Sequence, residues 1–142
     1  MSDRFDLQRF VDAQNGVYPQ VVRELSAGRK RSHWMWFIFP QIQGLGFSAM
    51  AQRFALRSPA EAGAFLAHDI LGPRLIECTE LVLAAKDRTI NEILGSPDDM
   101  KFRSSMTLFG AVSDNPVFER AIAVHYIGGG DQATLDILRA LD

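Results

Sequence analysis

Two segments of the chain concentrate side chains that can do chemistry. The first is Arg29-Lys30-Arg31-Ser32-His33-Trp34-Met35-Trp36-Phe37-Ile38-Phe39-Pro40-Gln41, where cations and a histidine abut a block of aromatics. Lysine and arginine hold phosphate, an aromatic face stacks a planar ring, and an imidazole moves protons near neutral pH. The second is Asp98-Asp99-Met100-Lys101-Phe102-Arg103-Ser104-Ser105-Met106-Thr107-Leu108-Phe109. At helical spacing Phe102, Met106 and Phe109 form one apolar stripe. Asp99 and Arg103 lie four apart beside it in ion-pair register, and Asp98 and Ser105 fall near its other edge. Together the segments predict one cleft, bounded by Lys30–Ser48 and Pro97–Phe109, for a small anionic, nucleotide-like ligand. Lys30, Lys101 and Arg103 would hold phosphate, Trp34 and Trp36 would stack a ring, and Gln41, Ser104 and Ser105 would complete the polar lining. In its sharpest form the reading is hydrolysis of an N-glycosidic or ADP-ribose-type bond. His33 would then be the acid or base, while Asp98 or Asp99 would stabilise developing positive charge or orient water.

The same residues also have structural readings. The aromatics can be core and the cations the solvated end of a preceding helix, since aromatics dominate cores by area. The acids can neutralise a helix start, with Asp99–Arg103 as an exposed pair. A different class of function is a non-enzymatic module that uses the aromatic and basic segment to bind a protein partner or a second copy of the chain. No metal is expected, because adjacent carboxylates on a helix diverge by about 100° and rarely chelate one ion without further ligands. No cofactor is expected either. Gly44 and Gly46 form G-x-G, but Ala49 occupies the third glycine position of a dinucleotide fingerprint, and turn geometry with Ser48 as an N-cap is the simpler use. His68 reads as a solvated turn residue, His125 as a satisfied buried histidine and Cys78 as core filling. No Ser/His/Asp or Cys/His triad can be placed.

Helices must position these groups. Asp3, Ser58, Thr89, Ser96 and Asp131 are candidate N-caps; Glu61, Glu92 and Asp99 supply the returning acid for Ser58, Thr89 and Ser96. Pro19 and Asn115-Pro116 suit helix starts, and Gly16, Gly28 and Gly128–Gly130 suit stops. Pro73 to Lys86 is apolar around most of its circumference, as in a central helix. Trp34 to Phe39 reads equally as a strand or as buried helical turns. The expected fold is all-α: a compact array of about seven short helices in one domain over residues 1–142.

Composition narrows the function classes. The 142 residues are 47% hydrophobic and 23% charged with a net charge of −2, which excludes wholesale disorder and argues against general nucleic-acid affinity. Mass scaling gives roughly 7,300 Å² of folded surface. No apolar run approaches the roughly 18 residues of a membrane span, so no membrane partner is expected. The charged start at Asp3, Arg4 and Asp6 does not read as a secretory signal, and the lone Cys78 forbids an internal disulfide. A cytoplasmic setting is the expectation.

The run from Lys30 through Ser48, with its His33-Trp34-x-Trp36-Phe37-x-Phe39-Pro40-Gln41 core, resembles a bacterial family, the domain of unknown function eighteen-ten. So does Pro97-Asp98-Asp99-x-Lys101-x-Arg103-Ser104-Ser105-Met106-Thr107-Leu108-Phe109, with Phe102 standing where the family has leucine. The likeness spans nearly the whole chain and implies a small, mainly helical fold without an activity to carry over. The label "calpastatin" that often travels with the family implies an extended disordered inhibitor, which this apolar composition contradicts.

Overall fold

The computed structural model describes residues 3–141. Among them the chain forms ten helices: α1 (Gln8–Asn15), α2 (Tyr18–Ser26), α3 (Met35–Ile38), α4 (Ala49–Arg53), α5 (Pro59–Ala67), α6 (Leu71–Ala84), α7 (Ile90–Leu94), α8 (Asp98–Val112), α9 (Val117–His125) and α10 (Gln132–Ala140). The fold is all-α as expected. The count exceeds about seven because α3, α4 and α7 are short segments of four or five residues. Among the described residues, β pairing is confined to an isolated parallel bridge between Ile42 and Leu56. Within Trp34 to Phe39 a single helical turn forms, Met35–Ile38, flanked by Trp34 and Phe39 as caps, with Ile38 and Phe39 N–H groups donating to Trp34 and Met35 carbonyls.

Most helix punctuation follows local chemistry. Ser48, Ser58 and Asp131 accept from backbone N–H groups of the first turns of α4, α5 and α10. Thr89 and Glu92 form a reciprocal capping box at α7. Asp3 is not the N-cap of α1, a position held by Leu7, but from four residues upstream it accepts from the Gln8 and Leu7 N–H groups, which holds its carboxyl below the usual carboxylate range. Gly28, at φ 77°, takes the left-handed position after α2. Two further expectations change. Ser96 does not cap α8; Pro97 occupies the capping position, after a cis Ser96–Pro97 bond, with no side-chain cap. His68 is not simply solvated: its Nδ1 accepts from the N–H groups of Ile70 and Leu71 and so closes the start of α6.

The buried side chains join in one hydrophobic cluster. Its aromatic spine runs from Phe10 through Phe65 to Phe109 and Phe118, with ring centroids 5.0–5.7 Å apart; Phe39 meets Phe102 edge-on at 4.9 Å. The most enveloped helix is α8, flanked by α5, α7, α9 and α10, with Phe102 and Ser104 to Phe109 all buried. The expectation for α6 is corrected here: Leu71, Gly72, Leu75, Cys78, Thr79 and Val82 are buried, but Ile76, Leu81 and Leu83 are only half-buried. Accessible surface totals 7635 Å² over the described residues, close to the mass-scaling value.

The α5–α6 corner is tight because a Cβ at Gly72 would sit 2.0 Å from the Leu66 carbonyl oxygen. A Cβ at Gly63 meets nothing within 4 Å. Gly72→Ala is therefore expected to lose about 3 kcal/mol or more in denaturant unfolding. Gly63→Ala should gain about 0.5–1 kcal/mol through helix propensity.

Candidate functional site

The aromatic–basic segment is organised by an acid on a neighbouring helix. Glu24, on α2 and 7% exposed, accepts at Oε1 from the Arg31 and Ser32 N–H groups and Trp34 Nε1, at 2.7, 3.0 and 2.9 Å. Its Oε2 accepts from Ser32 Oγ at 2.6 Å and Gln20 Nε2 at 3.0 Å. Burial alone would raise this carboxyl; the hydrogen bonds from Ser32, Arg31 and Trp34 outweigh it and bring the pKa down to about 2. One consequence is that Trp34, 1% exposed, is core with a satisfied indole N–H and offers no ring to a ligand. Trp36 is only half-buried.

The two segments do meet. Asp98, in the first turn of α8, places Oδ2 2.9 Å from Lys30 Nζ and Oδ1 3.6 Å from Lys101 Nζ. Lys30 also lies over the Trp34 ring at 5.1 Å and Lys101 over the Trp36 ring at 5.2 Å. Each ammonium thus contacts both a carboxylate and an aromatic face, and the carboxylate joins residues nearly seventy positions apart.

Further along α8, side chains turn to the last helix. The expected Asp99–Arg103 pair is not formed. Arg103 Nε instead donates to the Gly129 carbonyl at 2.8 Å, with its guanidinium 5.4 Å from the centre of the Tyr126 ring. The Asp99 carboxylate is engaged instead by Asn91 Nδ2 and the Met100 N–H, and the Gly128–Gly130 turn supplies Arg103 with a carbonyl acceptor. The Tyr126 hydroxyl donates to the Asp99 carbonyl. Ser104 Oγ donates to Asp131 Oδ2 at 3.1 Å, and Thr107 Oγ1 accepts from the Asp131 N–H at 2.9 Å. Asp131 also accepts from the Thr134 N–H and hydroxyl, so one carboxylate caps α10 and fastens it to α8. Ser105 is fully buried, and its hydroxyl has no hydrogen-bond partner among the described residues. The same holds for half-buried His125 at Nε2, contrary to the expectation of a satisfied ring; burial lowers its pKa.

Two adjoining clefts open where the segments meet. The inner one is narrow, about 30 Å³, and runs between Met35, Trp36, Gln41, Phe54 and Lys101. That is room for about one or two waters and too little for a nucleotide. The outer cleft, about 400 Å³, lies among Gln41, Phe47, Met100, Lys101, Ser104 and Asp131. That volume is in the range of small-molecule sites. Gln41 and Lys101 border both. Of the residues singled out in the sequence, Trp36, Gln41, Lys101 and Ser104 line one or both clefts, with Lys30 and Asp98 behind Lys101. His33 is exposed, and neither it, Asp99, Arg103 nor Ser105 lines either cleft.

Phe47 and Met100, 83% and 48% exposed at the outer cleft, and Asp131 were missed. An isolated phenylalanine among glycines gives no periodic signal, although its exposure follows from the turn that Gly44 and Gly46 allow. Among the described residues no group of three or more His, Cys, Asp or Glu side chains could hold a metal ion.

An all-helical scaffold in which a lysine–carboxylate–lysine bridge joins the tryptophan-bearing turn at α3 to the first turn of α8 defines the molecule. The chain belongs to the protein of unknown function family DUF1810, whose family model matches residues 4–138. It is similar to the crystal structure of the conserved hypothetical protein Rv1873 from Mycobacterium tuberculosis. The two share 55% identity at a TM-score of 0.95, covering 96% of this chain and 99% of that one. No curated protein matches it.

The Glu24 carboxyl titrates near 4.5 when unfolded and near 2 when folded, so its stabilisation, on the order of 3 kcal/mol, is complete above pH 4.5 and lost as pH falls toward 2. Glu24→Gln should lower unfolding free energy at pH 7 by about that amount and flatten the acid limb between pH 4.5 and 2, measured by urea unfolding across pH.

Proposed function

We propose that the outer cleft binds a small anionic ligand with an apolar or planar portion, a nucleotide-like molecule being the simplest chemistry that fits. The observation that carries this is the position of Lys101. The residue borders both clefts, and its ammonium lies 3.6 Å from one oxygen of the Asp98 carboxylate whose other oxygen holds Lys30 at 2.9 Å. One carboxylate thus faces two lysines, which favours a further anion beside Lys101. Gln41 borders both clefts and its side chain makes no hydrogen bond among the described residues, so it is free to donate or accept. Leu45, Phe47 and Met100 supply an apolar wall for the uncharged part of the ligand.

Binding, not hydrolysis, is the form of the reading that the geometry supports. Acid–base work by His33 would require it at the reacting bond, and it lines neither cleft. Asp98 is engaged by two ammonium groups, and Asp99 accepts from Asn91 Nδ2 and from the Met100 N–H. The phosphate-holding role reduces to Lys101, backed by Lys30; Arg103 serves the α9–α10 turn.

A second reading, association with another protein surface or a second copy of the chain, is favoured by the exposure of Phe47 beside Met100. A concentration-independent monomer mass by size exclusion with light scattering would remove the homodimer.

Thermal shift against nucleoside monophosphates, nucleoside diphosphates and ADP-ribose tests the binding reading. At a hundredfold excess over Kd a ligand adds about 2.7 kcal/mol of stability. The expected result is a rise in Tm with at least one of these at millimolar concentration, abolished in Lys101→Ala and reduced in Phe47→Ala. No rise with any of them contradicts the proposal.

A further inference from the structure

Away from the cleft, Arg4, Arg9, Arg53 and Arg57 converge on an open hollow of about 510 Å³. They come from two stretches far apart in sequence: Arg4 and Arg9 from the turn before α1 and its start, Arg53 and Arg57 from the end of α4 and the α4–α5 connection. Arg9 holds those stretches together. Its guanidinium donates to the carbonyls of Phe5, Asp6, Arg53 and Ala55 and to Glu61 Oε2, at 2.6–3.0 Å. The Arg9–Glu61 pair is internal to the fold: Glu61 is 2% exposed and also accepts from the Arg57 N–H.

The other three guanidinium groups are different. Arg4, Arg53 and Arg57 are exposed, and among the described residues none lies within 4.0 Å of a carboxylate or donates a side-chain hydrogen bond. Two of them are nevertheless held in place. Arg4 packs on the Phe5 ring at 5.0 Å and Arg53 on the Phe54 ring at 5.1 Å, repeating the Arg9–Phe10 contact at 4.4 Å. Stacking on an adjacent ring limits the rotamers of a guanidinium while leaving its N–H fork free. The carboxylates in the hollow are Glu61, spent on Arg9, and Asp6. Four cations against two acids is a local excess on a chain whose net charge is −2.

We infer that this hollow is a second ligand site, distinct from the outer cleft, which takes a small molecule bearing a phosphate or pyrophosphate group. Three arginines lining one concavity, none of them paired with a carboxylate, match an acceptor with several oxygens and more than one negative charge, and a single carboxylate would leave them underused. Ser58, beside the arginines, offers a hydroxyl at the rim, although its oxygen already accepts from the Glu61 N–H. The inference does not depend on the reading of the cleft.

The experiment is titration of the full chain with pyrophosphate by calorimetry at low and at 0.5 M salt. Wild type, Arg53→Gln/Arg57→Gln, Arg4→Gln and Lys101→Ala are compared, each checked for an unchanged melting temperature. Saturable binding that weakens with salt, falls at least about tenfold in the double arginine variant and survives in Lys101→Ala is expected. Arg4→Gln, outside the helices, gives a second arm if the double variant fails to fold and should also weaken binding. Equal binding in wild type and the arginine variants, or none at millimolar pyrophosphate, overturns the inference. Binding lost only in Lys101→Ala overturns it as well, while favouring the cleft.

Discussion

A carboxylate shared by two ammonium groups is the constraint on which the central site depends. Asp98 reaches Lys30 at 2.9 Å and Lys101 at 3.6 Å, and the three side chains are only 17, 9 and 27% exposed. Partly buried charges of this kind are costly when one partner is missing, because the remaining ion is left poorly solvated. The pairing therefore favours the arrangement that brings the loop from α2 to α3 against the first turn of α8. Lys101 is thereby paired at the junction of the two clefts.

Each end of that bridge is anchored by a different acid, buried Glu24 on one side and half-buried Asp131 on the other. On one side Glu24 gathers two backbone N–H groups, a hydroxyl and an indole, which fixes the turn carrying Lys30 and commits Trp34 to the core. On the other side Asp131 ties Ser104, Thr107 and Thr134 together, so α10 forms a wall of the outer cleft. A reactive-looking cluster of residues thus divides by task. Glu24, Trp34, Arg103, Ser104 and Asp131 hold positions, while Lys101, Gln41, Trp36, Phe47 and Met100 face open space.

The all-helical class and most helix ends were legible in the sequence because they rest on local chemistry: Thr89 with Glu92, Ser58 at α5, Asp131 at α10 and the glycine after α2. The meeting of the two segments was also legible, since their charges and aromatics are complementary. What each residue does there was not. Spacing within one helix pairs Asp99 with Arg103, but it says nothing of the Gly129 carbonyl, a partner supplied by another element. Trp34 and Trp36 look alike in sequence, and only the carboxylate of Glu24 on α2 separates the buried ring from the half-exposed one. His33 marks the same limit: its chemistry is suggestive, while its exposed position follows from the register of the turn.

A double-mutant cycle between Lys30 and Asp98 tests the bridge most directly. Unfolding free energies would be compared for wild type, Lys30→Met, Asp98→Asn and the double variant, in low and high salt. A coupling energy of about 1 kcal/mol or more, persisting in high salt because the pair is largely shielded, is the predicted result. Additivity within about 0.3–0.5 kcal/mol would contradict it, showing that the two segments lie together without depending on this contact.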